Sequence, residues 1–147
     1  MKASVTIRRP HPSEHSSVRT IVQTVVDETY GGLWAPPPLQ IDEEDWSLAW
    51  ISVLDAAAIT GTALTHQEWL SDLWVLREFR GIGIGALLLA RAEAEIAERG
   101  NPFARLRVVQ SNEKARTFYA AHGWAAKREF SHERLPITMI EMEKALN

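Results

Sequence analysis

Residues 80–86 read Arg-Gly-Ile-Gly-Ile-Gly-Ala, a basic residue followed by glycine at every second position. Alternate glycines leave backbone N–H groups unshielded by side chains, so an anion can approach them closely. The apolar run at 86–89 begins a helix in earnest. The first amides of that helix lack intrahelical partners and carry the positive end of its dipole. Arg80 at the mouth adds a planar, forked cation that matches phosphate oxygens. The chemistry implied is phosphate binding.

Several kinds of loop bind phosphate. A nucleotide-hydrolase loop ends in Gly-Lys-Ser/Thr, and no such ending is present. Gly81-x-Gly83-x-x-Ala86 fits a degenerate dinucleotide fingerprint, which expects an acidic residue about 20 positions further on. The strand there, 105–109, closes on Gln110-Ser111-Asn112 with no acid to hold a ribose. A dinucleotide domain also usually starts with its loop and alternates strand and helix afterwards. Here half the chain comes first, and 62 residues follow Gly85. A glycine-rich turn serving only close helix–strand packing stays open as the alternative.

The elements that must position this loop can be read along the chain. Residues 4–8 alternate as a first strand. Ser13 is placed to cap a helix over 14–30, whose Val18, Ile21, Val22, Val25 and Val26 share one face, with Gly31-Gly32 as its stop. Three consecutive prolines at 36–38 forbid regular helix or a central strand. The acidic run 42–45 is suited to cap a short helical turn before Trp46; as a cluster it reads first as a solvated loop and alternatively as an attractive rim for an amine. Tyr30 and Trp34 are candidates for the wall of an acceptor pocket.

Residues 46–54 and 57–65 read as two strands joined at Asp55-Ala56, and a central strand over 68–75 leads into the glycine loop. The helix 84–99 stripes Ile84, Leu88, Ala92 and Ile96, with Glu93, Glu95 and Glu98 largely away from that face. Gly100 and Asn101-Pro102 stop it. A strand at 104–109 follows, then a helix opened by Ser111 or Asn112, with Ala115, Phe118, Tyr119 and His122 on one face and Gly123 closing it. Residues 124–129 and 136–143 make the final strands. No repeat or linker divides residues 1–147, so a single domain is expected.

Hydrophobic content of 46% and charged content of 24% are ordinary for a globular chain. No apolar run approaches the ~20 residues of a membrane span. The first residues lack the apolar block of a signal peptide, so a cytoplasmic location is the default expectation. With no cysteine there is no disulfide, thiolate metal site or cysteine acyl-enzyme. The net charge of -3 predicts no affinity for nucleic acid. Residues 1–79 carry 5 Lys/Arg against 11 Asp/Glu, and residues 80–147 carry 11 against 8. A basic second part suits a polyphosphorylated cofactor and an acidic first part a cationic acceptor, with plain scatter of surface charge as the equal alternative.

Arg80-x-x-Gly83-x-Gly85 resembles the acetyl-CoA motif of the GNAT superfamily of N-acetyltransferases. A second part of the signature follows one helix and one strand later. Asn112-x-x-Ala115-x-x-Phe118-Tyr119, with Gly123-Trp124 after it, is similar to the asparagine-to-tyrosine helix of that family and its small-loop Gly-aromatic. The resemblance is good over 70–124 and rests on element order elsewhere. It implies an α/β (α+β) fold with a mixed, mainly antiparallel sheet of about six or seven strands and about four helices, opened between its central strands. It also implies acyl transfer from acetyl-CoA to a primary amine; the lack of cysteine then points to direct attack on the thioester in a ternary complex, and the dispersed histidines to no metal. The alternative is a non-catalytic CoA-binding or regulatory module of the same fold.

Residue by residue, the resemblance implies that Leu73, Trp74 and Val75 offer backbone groups to the pantetheine arm and thioester carbonyl. Arg80, Gly81, Ile82, Gly83, Ile84, Gly85 and Ala86 hold the pyrophosphate. Asn112 hydrogen-bonds the cofactor arm and can cap its helix as well. Tyr119 sits near the sulfur as general acid, since a phenol of pKa ~10 is protonated at neutral pH. For a general base, diamine-acetylating relatives commonly carry an acidic pair before the end of this strand. Ser71-Asp72 retains half of it, and Asp72 is the candidate, with Glu68 beside it. The acceptor is a small molecule or peptide amine, and the analogy allows a homodimer, with no nucleic acid or membrane partner.

The five histidines add no site. His11 and His15 share helical spacing, but Pro12 stands where a zinc-protease motif has Glu. His66, His122 and His132 are dispersed, His122 marking a helix end. No G-x-S-x-G elbow exists for a serine hydrolase.

Overall fold

The computed structural model describes residues 3–31 and 41–146. Seven strands form one sheet in the order β1-β2-β3-β4-β5-β7-β6. They are β1 (Val5–Arg8), β2 (Trp50–Leu54), β3 (Ala58–His66), β4 (Trp69–Val75), β5 (Phe103–Val109), β6 (Ala125–Ser131) and β7 (Thr138–Ala145). The α-helices among the described residues are α1 (His15–Tyr30), α2 (Ile84–Glu98) and α3 (Glu113–Ala121). The expected fourth helix is a short 3-10 turn, Trp46–Leu48. Asp45 starts that turn by accepting the Ser47 amide at 3.1 Å, as the acidic run suggested, so the second strand begins only at Trp50.

All strand neighbours are antiparallel except β4 and β5. The β2–β3 hairpin turns through Asp55 and Ala56, both with positive φ, which matches the twist of the flanking strands. α1 lays Val18 and Val22 on one sheet face, against Ile51, Val53, Leu64 and the Trp46 ring. α2 and α3 cover the other face, where Ile84, Leu88, Ala92, Ile96 and Tyr119 meet Leu70, Leu106, Val108 and Trp124. Each helix therefore buries the stripe its spacing defines, and the sheet carries a separate core on each side.

Two expectations change. Ser13 does not cap α1. The chain instead enters through a 3-10 turn, Pro12–Glu14, with Pro12 at the first position, where its missing N–H costs nothing. Glu14 reaches back to the His11 amide at 2.7 Å and takes both ends of the Arg8 guanidinium at 2.9 and 3.1 Å. The arginine, then the backbone bond, lower the Glu14 pKa to about 2. Glu95 is likewise not on an open face but 9% exposed. It receives Arg9 from the segment after β1, the Thr65 hydroxyl from β3 and Arg99 at 3.3 Å, tying α2 to the sheet. Glu95→Ala removes the acceptor of all three. An unfolding titration in urea should show a loss of about 1–3 kcal/mol, below the cost of a fully buried pair because Arg9 can reach water.

Candidate active site

The site begins with an irregularity in β4. Leu64 of β3 pairs with Asp72, but the next residue, Thr65, pairs with Leu70, so Ser71 is an extra residue opposite the ladder. Such a bulge bends its strand and increases the local twist. Beyond it β4 leaves β5, and the two share one register pair, Trp69 with Arg105. The Leu76 amide donates to Thr60 at 2.9 Å across β3. Strand alternation then turns the backbone of Trp74 toward β3 and that of Leu73 and Val75 into the gap. Trp74 lies at the site through its side chain.

The glycine loop sits at the end of this gap. A 3-10 turn, Arg77–Phe79, leads into Gly81 (φ 84°) and Gly83 (φ 90°), conformations that a side chain resists. A Cβ at either would meet nothing within 4 Å, so the space above the loop is open. α2 begins at Ile84, where the stripe over 84–99 put it, with Gly83 as N-cap and no side chain capping it. Among the described residues, no carbonyl or side chain accepts from the amides of residues 81–86. Gly85 lies inside the first turn, where a Cβ would stand 3.4 Å from the Phe118 ring of α3. Arg80 folds back over the strand end, its Nε donating to the Val75 carbonyl at 2.9 Å and its terminal nitrogen 3.6 Å from Glu28 of α1.

A cavity of about 70 Å³ occupies the gap and is lined by Tyr30, Asp72, Trp74, Arg107, Asn112 and Tyr119, among others. Asn112 plays the capping role, accepting the Ala115 amide at 3.2 Å, and donates its own amide to the Tyr30 hydroxyl at 3.0 Å. That bond joins the end of α1 to the start of α3 across the gap. Tyr30 in turn meets Trp74 edge-on, with ring centroids 6.3 Å apart. Tyr119, on the far face, is buried against Phe118 and Trp124. Burial, then the nearby Tyr30 and Asp72, push its phenol well above the ordinary value, so it stays protonated.

Asp72 accepts the Trp74 indole N–H at 2.8 Å. Burial raises its pKa to about 6, against the lowering effect of that bond, and the charges of Glu44 and Asp42 add to the rise. The charge of the acidic segment therefore reaches Asp72, although its Asp42 also faces Arg134 at 3.9 Å and its Glu43 is spent on Arg19 at 2.8 Å. Glu68 stands apart, paired with Arg105 at 3.3 Å. Trp34 and the three prolines at 36–38 lie outside the described residues. Sequence reading missed the Ser71 bulge, which the run WLSDLWV does not signal, and Arg107, whose place beside the gap depends on where β4 parts from β5.

Residues 40–146 match the family model described as acetyltransferase (GNAT) domain. The chain belongs to the GNAT acetyltransferase family. Among curated proteins it is similar to an uncharacterized N-acetyltransferase of Archaeoglobus fulgidus, 46% identical over 52 residues; that match spans 35% of this chain and 35% of the relative. Among solved structures it resembles the PaiA N-acetyltransferase of Thermoplasma acidophilum in complex with coenzyme A. That similarity has a TM-score of 0.74 and 19% identity, covering 97% of this chain and 99% of that one. It also resembles yncA of Salmonella typhimurium with its cofactor acetyl-CoA, with a TM-score of 0.77 and 16% identity, covering 98% and 95%. At these identities the structures share the fold.

The raised Asp72 pKa has a consequence for stability. A carboxyl easier to protonate in the folded chain favours folding below its unfolded pKa of ~4, and that advantage is lost as pH rises through about 6. Asp72→Asn should thus stabilise the protein at pH 8 by on the order of 1–3 kcal/mol and have little effect near pH 4. Thermal unfolding of both forms at the two pH values checks it.

Proposed function

We propose that this protein transfers the acetyl group of acetyl-CoA to a primary amine, by direct attack with both substrates bound. The observation that carries the reading is the row of amides at 81–86, without acceptors among the described residues, at the start of α2 just after β4 has left β5. Those amides and the dipole of α2 suit a pyrophosphate. Acetyl-CoA supplies the activated acyl group when bound, and family membership and the cofactor-bound structural relatives support that assignment.

The chain's own groups divide the work by side of the gap. Asp72 takes a proton from the incoming ammonium, directly or through water. An amine of pKa ~10.4 is mostly charged at pH 7, and a base with a pKa near 6 is ionised there yet still able to accept a proton. The Leu73 and Val75 amides, turned into the gap, are placed to donate to the acyl oxygen as charge develops on it. Tyr119, kept protonated by burial, gives its proton to the departing thiolate. Asn112 positions the cofactor arm while capping α3.

Calorimetry with acetyl-CoA and with NAD should show binding of the former only; preference for NAD would return the loop to the dinucleotide class. Tyr119→Phe should keep acetyl-CoA affinity and lower kcat by about 10²–10⁴-fold. An unchanged kcat removes Tyr119 from the chemistry, and absence of thiol release across a broad amine panel favours a binding module instead. The kcat/KM profile of an active acceptor should rise with pH through about 6, a limb that Asp72→Asn removes.

A further inference from the structure

The face of the sheet that carries Asp72 continues onto β5, β7 and β6 as a row of arginines and glutamates, and all but one of the arginines are paired. Arg105 holds Glu143 at 3.0 Å and Glu68 at 3.3 Å. Arg128 holds Glu141 at 3.1 Å. Arg107 lies between them, opposite Glu141 in register, and that carboxylate is already taken by Arg128. Among the described residues Arg107 makes no ion pair and its guanidinium donates no hydrogen bond. Its guanidinium carbon instead sits 5.0 Å from the centre of the Trp69 ring and 5.4 Å from that of Phe130.

Aromatic contacts of this kind hold a guanidinium in place through its charge and its flat face, leaving the in-plane N–H donors free. Arg107 also lines the same cavity as Asp72 and Tyr119. The cavity therefore meets an acidic side, made by Asp72 and reached by the charges of Glu44 and of Asp42, which itself faces Arg134 at 3.9 Å, and a held cation whose donors are unspent among the described residues. A bare polyamine would place a second positive charge against Arg107. A molecule bearing both an amine and a carboxylate meets each side with the opposite charge, and a carboxylate matches the guanidinium fork in two parallel bonds.

We propose that Arg107 anchors a carboxylate of the acceptor, so that the amine substrate is a small zwitterion of the amino-acid type. This rests on the acetyl-transfer reading and deepens it. Arg107 acts on binding, through KM, and takes no part in the proton transfers.

The test uses the purified full chain, saturating acetyl-CoA and pairs of acceptors that differ only in the group to be anchored, namely free amino acids and their α-carboxamides. The wild type should favour the acid of its best pair by on the order of 10- to 100-fold in kcat/KM, the effect of one charged hydrogen-bonded contact. Arg107→Gln should erase that preference by raising KM for the acid, with kcat and the turnover of the carboxamide nearly unchanged, and Arg107→Lys should restore part of it. Equal turnover of acid and carboxamide by the wild type overturns the anchor while leaving acetyl transfer intact. So does an equal loss on both acceptors in an Arg107→Gln protein of unchanged melting temperature. Failure of every acceptor to release CoA sinks the acetyl-transfer reading itself, and the anchor with it.

Discussion

Two neighbouring strands of this sheet run parallel and then part. Buried backbone donors and acceptors normally have partners, and a strand that leaves its neighbour gives them up. β4 can do so because its other edge is laddered to β3 on both sides of the Ser71 bulge, and β5 is laddered along its length to β7. The extra residue at Ser71 supplies the bend. The gap is thus held open by strong pairing on either side of it, and the Leu73 and Val75 amides are left turned toward it, while Arg80 takes the Val75 carbonyl.

Around that gap the charges are sorted by position. The helix start at Gly83 gathers amides and a positive dipole end at the top, with Arg80 beside them. Asp72 lies on the α1 side of the sheet, partly shielded from water and crowded by Asp42 and Glu44, which makes its proton harder to lose. Tyr119 lies on the α2 and α3 side, where burial makes its phenol hard to ionise. Both pKa values are thus raised, on opposite faces of the sheet. The Tyr30–Asn112 bond spans the same gap and locks two helices that otherwise pack on opposite faces of the sheet.

Much of the frame was legible. The stripes of α1 and α2, the hairpin at Asp55-Ala56, the Asp45 cap and the Asn112 cap all follow from local rules, because propensity, capping and face spacing act within a few residues. The reading failed where a distant partner decided the outcome. Glu95 looked like a solvated helix position until Arg9 and Thr65, remote in sequence, were brought against it. Ser13 looked like a cap, but Arg8 fixed Glu14 and moved the start of the turn to Pro12. Residues 46–48 alternate no worse than a strand, yet the Trp46 ring is buried under α1 and the backbone coils to place it there.

By itself the sequence determined that residues 80–86 would present bare amides at the start of a helix, since glycine spacing and the apolar run behind it are local properties. It determined equally that Asn112 would open α3 with Tyr119 two turns further along its inner side. Only the tertiary structure decided that Asn112 and Tyr119 line one cavity with Asp72, beside a strand that slips one residue against β3. It also decided which charges remain unspent. Whether an arginine is paired depends on the strand register that sets a glutamate beside it, and register is a property of the assembled sheet.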